Sequence, residues 1–207
     1  MSISPSPKLL AIDASTDVCS VALALGGPLL EYNEQSPKSH TRVLLATIHR
    51  LLQEGGITLA ELDCLAFGRG PGSFTGVRMA CSVVQAFGFA LQIPIVPVST
   101  LRAVAEGAKQ QGSSQQILAT LDVGRGAVYW GLFEVVEGLV QPVSKEHIGQ
   151  REEIVLPEGN WTLATGFPSA KAVASIAVVE YGLGNAMTAE QVEPVYLREN
   201  FVKKSST

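Results

Sequence analysis

Two stretches of this chain begin in the same way, and that restricts its fold more than any other feature. Lys8–Ala14 (KLLAIDA) reads as a buried strand. Val18–Leu25 follows as a second, with alternating small and branched residues. Gly26-Gly27 signals a hairpin turn, and Leu29–Gln35 a third strand. From Ser39 to Glu54 the period changes. Leu44, Leu45, Ile48, Leu51 and Leu52 recur at helical spacing, with Ser39 as N-cap and Gly55-Gly56 as the stop. Leu62–Gly68 is a buried strand, Arg69–Phe74 a glycine-rich loop, and Thr75–Gln92 a helix. Ile95–Val98 is a strand between prolines, and Thr100–Gln110 a helix. Then the chain restarts with strands at Gln116–Val123, Gly126–Val135 and Leu139–Ser144. A short helix is expected over Gln150–Leu156, a strand over Trp161–Thr165, a helix over Ser169–Tyr181 and a closing strand over Glu193–Arg198. A shift of 109 residues sets Leu9 on Leu118, Asp13 on Asp122 and Leu23 on Leu132.

This order predicts an α/β protein with mixed sheets flanked by helices. Two related halves are the plan of the actin-like, ribonuclease H-like folds. The expected lobes are 1–104 and 105–207, with 193–207 packing back onto the first. With 207 residues, of which 46% are hydrophobic, the chain has ample material for its cores.

Only 16% of the residues are charged, where soluble domains average about 25%. Either a membrane or another protein covers part of such a surface. The longest uncharged stretch, Met79–Leu101, spans 23 residues, enough for a membrane helix of about 20. It contains Gln85, Gln92, Pro94, Pro97, Ser99 and Thr100, and the prolines break a helix. No membrane segment is expected, and Met1–Asp13 does not read as a signal peptide. The net charge of −4 and the scattered lysines and arginines offer no basic face for nucleic acid. Cys19, Cys64 and Cys81 form no C-x-x-C and each lies in an apolar run, as buried reduced thiols of a cytoplasmic protein would.

Three constellations are candidates for chemistry. Gly70-Pro71-Gly72-Ser73-Phe74-Thr75-Gly76-Val77-Arg78 lies between a strand and a helix. Glycines can turn amides toward an anion, and a helix N-terminus adds positive potential. The segment lacks the G-K-[ST] of a P-loop, and a tight turn capped by Ser73 or Thr75 explains it equally. Asp13 and Asp122 each end the first strand of a half. With Ser15, Gly72, Ser73 and Gly124 they form a candidate vestigial nucleotide or anion site, or else simply cap turns. His40, His49 and His147 have no histidine four residues on, so no metal pair is expected. No serine sits in a G-x-S-x-G elbow, and no catalytic residue is assigned.

The second helix is apolar almost all round. It is either sandwiched within its lobe or covered by another subunit; the shortage of charge favours a partner. The expected interface is Thr41, Leu44, Leu45, Ile48 and Leu52 with Val77, Ala80, Cys81, Val84 and Phe87.

Several strings carry a family resemblance. They are Leu10-Ala11-Ile12-Asp13-Ala14-Ser15-Thr16, Ser39-His40-Thr41, Gly68-Arg69-Gly70-Pro71-Gly72-Ser73-Phe74-Thr75-Gly76-Val77-Arg78, and Pro97-Val98-Ser99-Thr100-Leu101. Val128-Tyr129-Trp130 and Glu193-Pro194-Val195-Tyr196-Leu197-Arg198 complete the set. On these the sequence resembles the bacterial TsaB (YeaZ) family of tRNA threonylcarbamoyladenosine biosynthesis proteins. The resemblance implies an actin-like fold and a non-catalytic subunit. Its partner TsaD transfers threonylcarbamoyl to the adenosine beside the anticodon of tRNAs reading codons that start with A. It also implies pairing with TsaD, or homodimerisation, through the first two helices, and participation of the ATPase TsaE. This chain would need no cofactor of its own, ATP and magnesium would act in the assembled complex, and tRNA would be met only through that complex. The catalytic relatives carry a histidine-rich metal motif where this chain has Ser99-Thr100-Leu101-Arg102-Ala103. Two alternatives remain: an actin-like kinase or ATPase using Asp13, Asp122 and Gly124, and a glycoprotease-like peptidase. The segment 166–190 is shorter than the resemblance leads one to expect.

Overall fold

The computed structural model describes residues 6–27, 29–35, 40–112 and 115–197. In the first half, β1 (Leu9–Asp13), β2 (Val18–Ala24) and β3 (Leu30–Gln35) form an antiparallel meander. Helix α1 (His40–Gly55) leads to β4 (Cys64–Gly68), helix α2 (Phe74–Leu91) to β5 (Ile95–Val98), and α3 (Thr100–Gln110) closes the half. The sheet order is β3-β2-β1-β4-β5, with β4 parallel to both β1 and β5. In the second half, β6 (Gln116–Gly124), β7 (Ala127–Val136) and β8 (Leu139–Pro142) repeat the meander. β9 (His147–Gln150) also pairs with β7, and β10 (Trp161–Ala164) runs parallel to β6. Four strand roles recur, β6, β7, β8 and β10 standing for β1, β2, β3 and β4, while β5 and β9 have no counterpart in the other sheet. The weak 109-residue repeat is therefore an architectural one, and the fold is actin-like.

The uninterrupted apolar run of β1 has a direct cause: both faces of its sheet are covered. Leu10 and Ile12 point to one side, where they pack with Leu44, Ile48 and Leu51 of α1 and Ala80, Cys81 and Val84 of α2. Leu9 and Ala11 point to the other, against Ala170, Ala172, Val173, Ala174 and Ala177 of α4 (Ala170–Gly182). Alanines on both partners, including Ala22 and Ala66 of the sheet, let α4 approach closely. Helix α3 covers the second sheet, with Leu101, Val104 and Ala105 meeting Ile117, Ala119, Leu121 and Phe133.

The two halves thus exchange helices. α3 follows the first sheet in sequence but packs on the second, and α4 follows the second but packs on the first. The division expected at 104/105 falls inside α3.

Two expectations need correction. Only a 3-10 turn, Arg151–Glu153, forms where a helix was expected over Gln150–Leu156, and β9 precedes it. Four residues are too few for alternation to separate a strand from a turn. Glu193–Leu197 forms no strand; it is tied down by one backbone bond, from Val195 N–H to the Arg69 carbonyl at 2.7 Å. Ser39, Arg198 and the stretch 199–207 lie outside the described residues.

Helix α2 is long and apolar enough to pass as a membrane span by length and composition. Its inner face packs on the sheet, and the Gln85 amide on its flank donates to the carbonyls of Ala189 and Val192.

Candidate functional site

A cleft of about 690 Å³ opens between the two meanders. Ser15, Thr16 and Asp17 after β1, with Gly72 and Ser73 of the glycine-rich loop, form one wall. Thr120 and Asp122 of β6, Tyr129, Arg151, Gly166 and Phe167 form the other. Four of the six candidate anion-site residues therefore meet: Ser15, Gly72, Ser73 and Asp122. Gly124 and Asp13 do not line the cleft.

Asp13 is fully buried. Its Oδ1 accepts from the Ser15 backbone N–H at 2.9 Å and the Ser15 hydroxyl at 2.7 Å. Its Oδ2 lies against Gly68 and has no hydrogen-bond partner among the described residues. Burial pushes this carboxyl from 3.8 up to about 7, against the lowering effect of the Ser15 bonds. Asp122 is exposed, and its Oδ1 accepts from Gly124 N–H at 2.6 Å. Both aspartates thus bond the amide two residues on, at equivalent places in the repeat.

Two amides of the glycine-rich loop, those of Ser73 and Gly76, are engaged within the chain. Ser73 N–H donates to the Ser15 carbonyl at 2.7 Å, and Gly76 N–H to the Ser73 hydroxyl at 3.3 Å, which makes Ser73 the N-cap of α2. The glycines serve close approach. A Cβ on Gly72 would strike Ser15, one on Gly76 the Ala14 carbonyl, and one on Gly70 the Val195 carbonyl. Gly70 also sits at φ +101°. The loop is a joint that seats α2 against the β1–β2 turn, and the cleft wall offers an anion neither the Ser73 nor the Gly76 amide.

The same loop explains the second sequence string. Val195 docks on Arg69 as above. The next residue, Tyr196, accepts from Arg78 Nε at 2.8 Å, and its ring lies 5.3 Å from that of Phe74. The Arg78 guanidinium sits 3.8 Å over Phe74. Phe74, Arg78 and Tyr196 thus form one surface cluster joining strings 118 residues apart.

The residue-level interface expectation is corrected. Val77, Ala80, Cys81 and Val84 of α2, and Leu44, Ile48 and Leu52 of α1, are buried in the first lobe's own core. Leu45 is exposed and Phe87 half-buried, while the side chain of Thr41 lies outside the described residues. The outward faces carry other residues: Ser82, Ala86, Phe89 and Ala90 on α2, beside Leu45 and Ala46 on α1. Helical periodicity marks an apolar stripe but not what covers it, and two stripes on one helix blur into a single apolar surface. Tyr129, Arg151 and Phe167 in the cleft were not singled out as site residues. Only Tyr129 carried a signal, within Val128-Tyr129-Trp130.

A family model described as TsaD, tRNA N6-adenosine threonylcarbamoyltransferase, matches residues 33–200. The tRNA threonylcarbamoyladenosine biosynthesis protein TsaB of Escherichia coli is 32% identical over 95% of this chain and 97% of its own length. This chain belongs to the TsaB family. Its namesake in Haemophilus influenzae is also 32% identical, over 95% of both chains. YeaZ of Pseudomonas aeruginosa superposes with a TM-score of 0.88 at 35% identity, over 92% of this chain and 100% of that one. A second structure, described as similar to the peptidase YeaZ of that organism, gives 0.89 at 35% identity over 93% and 100%.

Proposed function

We propose that this chain acts in tRNA threonylcarbamoyladenosine biosynthesis as a subunit that holds and activates a TsaD-type catalytic partner. The observation that carries the reading is the outward face of α2 and α1. Phe89 is 63% exposed and Leu45 47% exposed, in a chain otherwise poor in surface charge. Ser82, Ala86, Phe89 and Ala90 follow one another at helical spacing, so they share one exposed face on which the Phe89 ring projects among small residues. A second copy of the chain would use the same face when the partner is absent. TsaE, ATP and magnesium act in the assembled complex, in the cytoplasm, and tRNA is met there rather than on this chain alone. The target is the adenosine beside the anticodon in tRNAs reading codons that start with A.

The cleft supports a holding role better than a kinase role. Asp13 is buried outside the cleft lining, Asp122 accepts from Gly124, and the Ser73 and Gly76 amides bond the chain itself. For peptidase chemistry, no group of three or more His, Cys, Asp or Glu that could hold a metal exists among the described residues, and all three thiols are buried.

The test is co-purification with the TsaD-type protein. Phe89→Glu is expected to abolish binding while leaving the thermal melt unchanged, because the ring is outside the core. Binding that survives both Phe89→Glu and Ala86→Glu overturns this interface. Omitting the chain from a reconstituted tRNA modification assay should remove activity if the subunit is required.

A further inference from the structure

A second cavity, of about 530 Å³, lies away from the cleft, where the edge of the first sheet meets the β8–β9 connection. It is lined by Arg69 after β4, Ser99 and Arg102 in the first turn of α3, Lys145 and Glu146 before β9, and Glu180 of α4. Three cations face two carboxylates. Glu180 is committed: it accepts from Arg102 at 2.6 Å and from Asn185 at 2.6 Å. Arg102 is committed as well, its Nε donating to the Val140 carbonyl at 2.7 Å.

Arg69 is different. Its Nε is buried and has no hydrogen-bond partner among the described residues. Glu146 feels the charge of Arg69 but accepts from the Ser99 hydroxyl instead, and the described ion pairs include none between Glu146 and Arg69. A buried donor on a guanidinium is costly to leave unmade. The backbone of Arg69 is pinned on both sides, its N–H to the Val98 carbonyl at 2.8 Å and its carbonyl by Val195 N–H. These main-chain bonds fix the point at the cavity wall from which the Arg69 side chain extends. Lys145 stands exposed at the rim, and the first turn of α3 adds partial positive charge below.

We propose that this cavity is a binding site for a small oxyanion, a phosphate- or carboxylate-bearing metabolite, whose oxygens satisfy the Arg69 guanidinium beside Lys145. Planar, bidentate recognition of such groups is what a fixed guanidinium does best. Glu146 then acts as the selectivity element: its carboxylate competes with the ligand for Arg69, so the ligand must out-compete it for the cations. The site is independent of the α1–α2 face and of the cleft.

The experiment is an NMR titration of the 15N-labelled chain with inorganic phosphate and, separately, malonate, following the Arg69 Nε–Hε signal and the amides of 97–102 and 144–146. Saturable shifts with phosphate assign a phosphate ligand, and saturable shifts with malonate a carboxylate. Arg69→Gln should abolish them. Arg69→Lys, which keeps the charge but loses the fork, should weaken binding roughly tenfold, the scale of a lost charge-assisted bond. Glu146→Gln, which leaves the cations in place, should tighten binding several-fold. Failure of both anions to give a saturable shift in the folded wild-type chain overturns the proposal. So does binding that is unchanged in both Arg69→Lys and Glu146→Gln.

Discussion

Replacing Asp13 by Asn tests how this fold carries a buried carboxylate. The group rises from 3.8 to about 7 because burial disfavours its charged form. The folded chain therefore holds the proton more tightly than the unfolded chain. Below pH 3.8 both states are protonated and the group costs nothing. As pH climbs toward 7 the unfolded state ionises first, so stability falls; above 7 both are ionised and the penalty is complete and constant. A shift of that size corresponds to roughly 4 kcal/mol. Asn keeps an acceptor for the Ser15 N–H and hydroxyl but is neutral, which gives back about 1 kcal/mol of charge-assisted bonding. Its amide replaces an oxygen that has no hydrogen-bond partner among the described residues. The expected result is a variant roughly 2–3 kcal/mol more stable than wild type at pH 8 and close to equal to it at pH 4.5. Urea unfolding at both pH values reads the difference, with the wild-type slope checked for constancy. A stability difference that is the same at pH 4.5 and pH 8 refutes the reasoning, because it shows that Asp13 has the same protonation equilibrium in both states.

Two further outcomes follow from the loop joint. Gly76→Ala sets a Cβ against the main-chain carbonyl of Ala14, which cannot yield without shifting β1; a loss of about 3 kcal/mol is expected in thermal unfolding, at the upper end of overpacking costs. Tyr196→Ala removes the acceptor of Arg78 and the ring beside Phe74, both on the surface. It should lower stability by no more than about 1 kcal/mol yet speed hydrogen exchange at the Val195 amide, whose bond to Arg69 it adjoins; unchanged exchange there would show that the segment is held by Val195 alone.

Much of the architecture was legible in the chain. The strands of both meanders and all four helices are set by local periodicity, caps and glycine stops, which act over a few residues and need no knowledge of the fold. The nonapeptide from Gly70 to Arg78 was specific enough to mark the family. The pattern over Gln150–Leu156 suggests a helix and that over Glu193–Arg198 a strand, and β9 has no signal of its own, because four or five residues carry too little pattern to separate strand, turn and docked coil.

The chain by itself determined the strands of both meanders and the four described helices, hinted that its two halves are related, and marked it as belonging with TsaB proteins. Only the tertiary structure decided which face of each element is inside. Val84 and Phe89 look equally apolar in sequence, yet one is fully buried and the other 63% exposed. Only the structure showed that α3 and α4 change places between the sheets, that the Ser73 and Gly76 amides of the glycine-rich loop bond Ser15 and Ser73, and that the buried Arg69 Nε has no hydrogen-bond partner among the described residues. These are matters of long-range contact, where burial and hydrogen bonding depend on segments more than 50 residues apart, and no local period encodes them.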